Sequence, residues 1–572
     1  MAGVRTNDGE ASLSGGNAPW VDGLSIGAVL RATAACHPDA TAVVFCATGW
    51  RRTWREFDAE VDSVAAALLA AGFRRGDHFG VWATNVPEWV LLQFATARIG
   101  VVLVTVNPSY RPAELAFAIG QADLAGLAVV DRFKSTDYHA AVAEVVPELA
   151  AATPGRIESA TFPRLRSVIS LRGPTPPGMV GWDELVAGGR AVAPEALSAA
   201  EAAVTPADPI NIQFTSGTTG VPKGATLSHR NILLNAFYAG VAQRFSPADA
   251  LCIPVPLYHC FGCVLGTLCG IVHGAAMVFP AESFQPEATL AALEAERCTV
   301  LYGVPTMFIA LLEHPDYPRR DLGSLRTGIM AGSPCPIELM RRVTGEMGAR
   351  EMTIGYGQTE AAPLITQTHC DDPLEIRVGT VGRALPGVEV KIVDPATGQA
   401  LGDGQPGELC ARGHGVMLGY YKMPEMTAKA IDADGWLHTG DIALREPGGT
   451  FRITGRIKDL VIRGGENIFP REIEEVLHAH PAVRDVQVIG VPDRKFGEQV
   501  MAWVALRDGR TATADELKEF CKARLAYFKV PHYWKFVDIF PTTVTGKVQK
   551  FRMREIAIDE LGLQDVARIE TA

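Results

Sequence analysis

A ten-residue segment rich in hydroxyl groups and glycine carries the strongest chemical signal in the sequence. It reads Thr215-Ser216-Gly217-Thr218-Thr219-Gly220-Val221-Pro222-Lys223-Gly224 and follows the apolar run 210–214, a pattern that predicts a strand ending in a loop. Glycine permits positive φ and close backbone approach, so such a loop can direct several N–H groups at one anion, with hydroxyls and an ammonium completing the shell. The segment therefore predicts a phosphate-binding loop.

The spacing inside this loop excludes the commonest nucleotide-binding motif. P-loop NTPases carry G-x-x-x-x-G-K-[ST], but the residue five positions after Gly217 is Pro222. Taken alone, a segment of this composition is most often a surface turn. If it binds a nucleotide, the chemistry belongs to a different family.

Three further motifs end in side chains that could bind a metal ion, sugar hydroxyls and phosphate charge. The glutamate of Tyr356-Gly357-Gln358-Thr359-Glu360 offers the carboxylate oxygen that Mg²⁺ prefers beside substrate phosphates. The aspartate of Thr439-Gly440-Asp441 is an acceptor-only group that can take hydrogen bonds from two sugar hydroxyls. Near the end of the sequence, Pro541-Thr542-Thr543-Val544-Thr545-Gly546-Lys547 ends in a compact positive charge on a long stem, which a moving domain can deliver.

Together, the loop and these motifs resemble the adenylate-forming (AMP-binding) superfamily, which contains acyl-CoA synthetases, amino-acid adenylation domains and firefly-type luciferases. They follow the family's order and span about residues 24–554. Within it, the stretches 256–260 (PLYHC), 333–334 (SP) and 463–468 (RGGENI) resemble the medium-chain acyl-CoA ligase branch. The resemblance implies ATP and CoA as co-substrates, Mg²⁺ as cofactor and an acyl-adenylate intermediate.

The resemblance also implies a role for each matched residue. Lys547 would be the adenylation lysine, His259 a gate between the acyl pocket and the thiol channel, and Lys458 the hinge of a mobile domain. Thr215 and Glu360 would hold the metal and, with Lys547 and His259, form the catalytic set. The residues expected to bind ATP and AMP are Thr215, Ser216, Gly217, Thr218, Thr219, Gly220, Lys223, Gly224, Gly332, Ser333, Pro334, Tyr356, Gly357, Gln358, Thr359, Asp441, Arg456 and Lys547. Those expected to line the CoA channel are Gly464, Gly465, Glu466 and Asn467.

A long uncharged window bears on both the substrate and the membrane. Residues 250–281 include no Asp, Glu, Lys or Arg, and a spanning helix needs about 20 apolar residues. Pro254, Pro256 and four glycines interrupt the window, so we expect a buried helix over 261–272 and a buried strand over 275–279 instead of a membrane anchor.

The same window favours an apolar acid as substrate. Superfamily enzymes that activate amino acids pair the substrate ammonium with an acidic residue, because a buried charge without a partner is costly. No such acid is present here. The residues expected to line the acyl pocket are His259, Cys263, Val264, Val304, Met307 and Gly332.

Composition sets the broad class. With 572 residues, 48% of them hydrophobic, the chain can form several cores, and a net charge of −11 gives no basic surface for nucleic acid. The 11 cysteines are scattered, which is typical of free thiols in a reducing compartment. Residues 1–20 lack an apolar core, which argues against a secretory signal. We expect a soluble cytoplasmic protein without an integral membrane segment, in which a homo-oligomer is compatible with the sequence.

The order of predicted elements indicates an α/β fold that can position these motifs. Strands at 41–46, 78–82 and 101–106 alternate with helices at 54–71 and 88–99, which predicts a parallel sheet covered on both faces. An amphipathic helix is expected at 228–242. From residue 378 short alternating strands predict a β-rich subdomain, and from residue 458 a compact α+β region predicts a small mobile lid. We expect domains at 1–457 and 458–572, the first built from two α/β layers plus the β-rich subdomain.

Several alternatives remain open at this stage. A medium-chain fatty acid is the first expectation for the substrate, and a bulkier aryl or terpenoid acid is the second. An acyl-carrier-protein ligase would share the first half-reaction, and a luciferase-type oxygenase would share the scaffold. A non-catalytic fatty-acid-binding protein would explain the apolar window, but it would not need Lys547.

Overall fold

The structure is a computed structural model that describes residues 18–567 except 216–221, 334, 465 and 543–547; for Asn467 it describes only the backbone. The expected residues Ser216, Gly217, Thr218, Thr219, Gly220, Pro334, Gly465 and Lys547 therefore lie outside the described part of the chain.

A nine-stranded mixed sheet forms the first layer. Its central strands are parallel and almost fully buried, as expected for apolar runs covered on both faces. In spatial order its strands are Arg383–Ala384, Leu364–Gln367, Glu351–Gly357, Thr327–Ala331, Val300–Gly303, Ala250–Cys252, Ala276–Phe279, Thr41–Phe45 and Trp50–Thr53.

An eight-stranded mixed sheet forms the second layer. In spatial order its strands are Gly419–Tyr420, Lys223–Ser228, Pro209–Thr215, Val102–Thr105, His78–Trp82, Leu124–Val129, Ser167–Ser170 and Val180–Gly181. One buried apolar cluster contains residues of both sheets, such as Phe79 and Ile212 from this sheet and Phe279 and Tyr302 from the other. The two α/β layers predicted from the sequence therefore share a continuous core.

One strand lies in a different sheet from the one that the sequence predicted. Thr41–Phe45 does not join the other early strands; it pairs in parallel with Ala276–Phe279 in the nine-stranded sheet. Phe45 stacks on Phe279 there, with ring centroids 4.4 Å apart. Strand–helix alternation shows that a strand is parallel, but a partner more than 200 residues away in sequence leaves no local signal.

The helices cover these sheets, with a β-rich part following them. The α-helices up to residue 430 are Ile26–Cys36, Trp54–Ala70, Pro87–Arg98, Pro112–Gln121, Tyr138–Val145, Trp182–Gly188, Pro194–Ala202, His229–Ala242, Thr267–His273, Pro286–Ala295, Pro305–Leu312, Ile337–Gly345, Leu374–Gly379 and Pro424–Ala430. The β-rich part is a four-stranded antiparallel sheet in the order Val388–Val393, Gly407–Gly413, Leu437–Arg445 and Phe451–Arg456. A two-strand ribbon, Arg132–Phe133 with Thr136–Asp137, lies apart from these sheets.

Two predicted helices differ in detail from their expectation. The helix expected to be amphipathic, His229–Ala242, is buried on nearly every side, so that prediction of an exposed polar face was wrong. The buried helix of the uncharged window begins as a π-helix, Phe261–Gly266, before it continues as Thr267–His273. Gln93 and Thr267 both donate hydrogen bonds to the Cys263 carbonyl, at 2.6 and 2.7 Å, which satisfies a backbone group in this wider turn. No helix in the described ranges is long and apolar enough to cross a membrane.

The C-terminal region has its own sheet and cores. The sheet consists of Glu466–Ile468, Val461–Arg463, Gly497–Leu506, Val483–Asp493 and Tyr533–Phe536, and the helices are Pro470–His478, Ala514–Lys522, Lys550–Glu560 and Gln564–Ala567. Its two apolar clusters draw only on residues from Val461 onward. The region contacts the β-rich sheet, where Arg471 Nη1 donates a hydrogen bond to the Ile453 carbonyl at 2.8 Å. The large N-terminal part with a small C-terminal unit agrees with the predicted fold.

Candidate active site

The phosphate-loop segment connects two neighbouring antiparallel strands. Pro209–Thr215 pairs with Lys223–Ser228, and Thr215 lies opposite Lys223 at the open end. The sequence predicted that Lys223 and Gly224 belong to the loop, but they begin the second strand, since their backbone pairs with residues 214 and 215. A hydroxyl and an ammonium therefore stand at the two ends of the loop.

Glu360, expected to hold the metal, lies beside Thr215 at the end of the first of these strands. Its carboxylate is 8% exposed and accepts a hydrogen bond from the Thr215 hydroxyl at 3.2 Å. A short 3₁₀ turn, Thr359–Ala361, holds it where the strand Glu351–Gly357 ends. A carboxylate and a hydroxyl oxygen this close together fit Mg²⁺, which binds through one or two carboxylates plus substrate phosphates.

Tyr420 completes this cluster and was missed by the sequence reasoning. Its hydroxyl donates to Glu360 Oε1 at 2.8 Å and accepts from Lys223 Nζ at 3.0 Å. Tyr420 is brought there by the edge strand Gly419–Tyr420, which pairs with Lys223–Ser228. The sequence carries no local signal for this contact, because Tyr420 lies 60 residues beyond Glu360 and reaches it only through sheet pairing.

Residues expected to bind the ribose contact one another. Asp441 is 4% exposed, and its two carboxylate oxygens accept hydrogen bonds from the Tyr356 hydroxyl at 2.7 Å and from Arg456 Nε at 2.8 Å. The Asp441 carboxylate raises the pKa of Arg456 above its ordinary value. Burial, and then the same carboxylate, raises the pKa of Tyr356. Each carboxylate oxygen has a second lone pair, so Asp441 can still accept from sugar hydroxyls.

Backbone contacts fix the turn that presents Asp441. Gly440 has φ of +71°, and its N–H donates to Glu408 Oε1 at 3.0 Å. The Thr439 hydroxyl accepts from the Asp441 N–H at 3.1 Å and donates to the Leu409 carbonyl at 2.7 Å. Glu408 was not predicted from the sequence.

The adenine motifs lie at the carboxyl ends of two adjacent parallel strands. Ala331 is paired with Gly355, so Gly332 and Ser333 emerge at the same edge as Tyr356. Gly332 has φ of +89°, a conformation that favours glycine. Ligands of open α/β sheets commonly bind at this edge, and nucleotide binding there stays a prediction.

Gly357, Gln358 and Thr359 connect this edge to Glu360. A Cβ at Gly357 would lie 1.9 Å from the Pro363 carbonyl oxygen, so the backbones approach too closely for any side chain. The Gln358 N–H donates to the same carbonyl at 2.9 Å. Thr359 is buried, with its hydroxyl 3.8 Å from Cys260 Sγ.

The residues expected to line the acyl pocket are closely packed. Cys263, Val264, Val304 and Met307 belong to the same buried cluster, and Gly332 is exposed at the end of its strand. Cys263 Sγ accepts from Gln213 Nε2 at 3.4 Å, two residues before Thr215 along the same strand. His259 Nδ1 accepts from the Phe261 N–H at 3.1 Å, which fixes the ring at the start of the π-helix. All four belong to the large N-terminal core, and their contact with an acyl chain stays a prediction.

Lys458, the expected hinge, lies near Lys223 and Arg456, two of the residues expected to bind ATP. Burial lowers the pKa of Lys458, and the positive charges of Lys223 and Arg456 act in the same direction. The expected CoA-channel segment lies in the C-terminal sheet. Gly464 has φ of +60° and donates its N–H to the Phe496 carbonyl at 2.8 Å, and Glu466 pairs with Arg463 in the adjoining strand.

Comparisons with known proteins agree with this geometry. The sequence matches the family model "AMP-binding enzyme" over residues 30–421 and the model "AMP-binding enzyme C-terminal domain" over residues 472–547. It is 49% identical to the Bacillus subtilis protein YngI, over 94% of this chain and 98% of that protein. It is 45% identical to the medium-chain acyl-CoA ligase ACSF2, mitochondrial, of Danio rerio, over 93% of this chain and 88% of that one.

Solved structures give the same result. ATP-bound MatB from Rhodopseudomonas palustris superposes with a TM-score of 0.79 at 32% identity, covering 94% of this chain and 99% of that one. The fold and the family predicted from the sequence are therefore confirmed. The chain belongs to the AMP-binding enzyme family.

Proposed function

We propose that the chain is an ATP-dependent acyl-CoA synthetase that joins a carboxylic acid to CoA through an acyl-adenylate and releases AMP and pyrophosphate. The observation that carries this proposal is the convergence of the hydrogen-bonded Thr215–Glu360 pair at the phosphate loop with the Tyr356–Asp441–Arg456 cluster beyond the strand end. One group suits a metal-bound triphosphate and the other a ribose. The names of relatives such as ACSF2 support CoA as the acceptor.

In the first half-reaction, a carboxylate oxygen of the acid bonds to the α-phosphorus of ATP, and the bond between that phosphorus and the bridging oxygen to the β-phosphate breaks. No general base is needed, because a carboxylic acid is already ionised at neutral pH. Thr215 and Glu360 would hold Mg²⁺, which supplies positive charge to the phosphates when bound. Lys223 and the loop position the triphosphate, and Asp441 with Arg456 positions the ribose.

In the second half-reaction, the CoA sulfur attacks the acyl carbon and AMP leaves. We propose 1–457 and 458–572 as the domain limits, with Lys458 as the hinge about which the C-terminal unit turns. That turn would withdraw Lys547 and present residues 464–467 to the thiol, which keeps water from the adenylate. The separate cores of the C-terminal unit support such a movement.

A medium-chain fatty acid is the favoured substrate. The uncharged window 250–281 supports an apolar acyl group, and the relatives named medium-chain acyl-CoA ligases support the chain length. An aryl or terpenoid acid is the second candidate. We place the enzyme in the cytoplasm, where its free cysteines would stay reduced.

The test is a panel of straight-chain, aryl and terpenoid acids assayed with ATP, Mg²⁺ and CoA, with AMP and pyrophosphate followed separately. We expect the fastest CoA-dependent AMP release with straight-chain acids of medium length. Acyl transfer to a carrier protein but not to CoA would replace the proposal with a carrier-protein ligase. Absence of AMP release with every acid would contradict it.

A further inference from the structure

Tyr420 stands between two oppositely charged residues of the phosphate site. Its hydroxyl accepts a hydrogen bond from Lys223 Nζ at 3.0 Å and donates one to Glu360 Oε1 at 2.8 Å. The Lys223 ammonium also lies over the Tyr420 ring, 4.2 Å from its centroid. Among the described residues, Lys223 and Glu360 form no ion pair with each other.

The phenol is held firmly in this position. Tyr420 is 7% exposed, its backbone pairs with Ala225, and its N–H donates to the Thr427 hydroxyl at 2.9 Å. In this position the hydroxyl donates to the Glu360 carboxylate.

A direct Lys223–Glu360 ion pair would compete with both expected ligands. The ammonium would be drawn from a phosphate, and the carboxylate would be neutralised where it should meet a cation. A neutral hydroxyl satisfies one hydrogen bond of each group without removing either charge. It leaves Glu360 Oε2 and the remaining Lys223 protons for other partners.

We propose that Tyr420 is a positioning residue that keeps Lys223 and Glu360 apart, so that the ammonium stays available to a phosphate oxygen and the carboxylate to Mg²⁺. This inference rests on the proposed function for the metal role of Glu360. It assigns a task to a residue that lies outside every motif of the sequence analysis.

The chain offers a matched control in the next residue. The Tyr421 hydroxyl donates to Asp123 at 3.0 Å, so Tyr421→Phe removes the same group from the same segment without touching Glu360 or Lys223. Tyr420→Phe keeps the ring that lies under the ammonium and removes only the bridge. Thermal melting of both variants checks that each is folded.

The experiment titrates ATP into each protein by calorimetry at a series of Mg²⁺ concentrations, which needs no acid substrate. We expect Tyr420→Phe to raise the Mg²⁺ concentration for half-maximal ATP binding about tenfold. The variant loses the hydrogen bond to the charged Glu360 carboxylate, and Lys223 and Glu360 can then form a direct ion pair. Tyr421→Phe should match wild type. An unchanged Mg²⁺ dependence in folded Tyr420→Phe, or an equal shift in Tyr421→Phe, would overturn the proposal.

A second readout separates positioning from a general defect. Thiolation of a supplied acyl-adenylate by CoA uses neither the pyrophosphate nor its metal, so Tyr420→Phe should keep this rate within about twofold of wild type. Equal loss of ATP binding and thiolation would make Tyr420 a structural residue and reject the proposal. If wild type binds Mg·ATP as expected but activates no acid, the acyl-CoA synthetase proposal fails while the Tyr420 result still stands.

Discussion

Asp441 is held in one orientation by hydrogen bonds with its neighbours. Tyr356 and Arg456 each donate a hydrogen bond to one of its carboxylate oxygens, and the Thr439 hydroxyl accepts one from its N–H, so the carboxylate is oriented and almost fully buried. Orientation of this kind lowers the entropy lost on binding.

Replacing this carboxylate tests the ribose assignment. In Asp441→Asn, one oxygen becomes an NH₂ donor that faces Arg456 or the sugar, so we expect the KM for ATP to rise about tenfold or more. The matched control is Asp403→Asn, since Asp403 pairs with Arg445 at an exposed position and should leave that KM within about twofold. Steady-state pyrophosphate release measures both. An ATP KM at the wild-type value in Asp441→Asn would exclude the ribose role.

At the scale of elements, the site depends on a close approach of two backbone segments at Gly357, which only glycine allows. Gly357 ends the strand Glu351–Gly357, and its backbone pairs closely with Leu364 of the next strand. This close approach sets the direction of the short turn that carries Glu360. The position of Glu360, the proposed metal ligand, is therefore coupled to the packing of a strand end.

Gly357→Ala should break this coupling. A Cβ would lie 1.9 Å from the Pro363 carbonyl oxygen, so the strands must separate, and we expect the free energy of unfolding to fall by about 2–4 kcal/mol together with a loss of ATP binding. Gly345→Ala is the control, because no atom lies within 4 Å of a Cβ there and the residue ends the helix Ile337–Gly345. Its stability should change by no more than about 1 kcal/mol. Urea unfolding of both variants decides; equal stability would contradict the packing argument.

The sequence was sufficient for features with a local signal. Strand–helix alternation predicted parallel strands, which the pairing of His78–Trp82 with Val102–Thr105 confirms. The phosphate-binding role of the segment after Thr215 stays a prediction. Long-range pairing could not be read in this way. Thr41–Phe45 joined the other sheet, and Tyr420 reached Glu360 only because Gly419–Tyr420 pairs with Lys223–Ser228. These contacts depend on register between distant segments, which leaves no periodicity in either one.

At the scale of the whole molecule, buried histidines couple stability to pH. Burial lowers the pKa of His229 to about 3, and the pKa values of His273 and His414 to about 4. Their folded pKa values lie below the unfolded value of about 6.5, so the unfolded chain binds protons that the native chain does not as the pH falls. The stability they contribute is fully present above about pH 6.5 and is lost progressively as the pH falls toward 4.

His229→Asn removes one of these titrating groups and so measures its contribution to the pH dependence of stability. An asparagine oxygen can accept from the Ile26 N–H, as His229 Nδ1 does at 3.1 Å, but it does not titrate. We expect the slope of unfolding free energy against pH between 6 and 5 to become shallower by up to about 1.4 kcal/mol per pH unit. The slope is the decisive quantity, because the smaller side chain also lowers stability equally at every pH. A slope identical to that of wild type would contradict the buried neutral histidine.

In the proposed reaction, an oxygen of the carboxylic acid becomes bonded to the α-phosphorus of ATP. An isotope experiment follows this oxygen with a medium-chain acid labelled with ¹⁸O in both carboxylate oxygens, and mass spectrometry of the products formed with unlabelled ATP and CoA. Attack on the α-phosphorus followed by thiolysis predicts that each AMP carries one ¹⁸O and that pyrophosphate carries none. Unlabelled AMP, or label in pyrophosphate or free phosphate, would contradict the acyl-adenylate route.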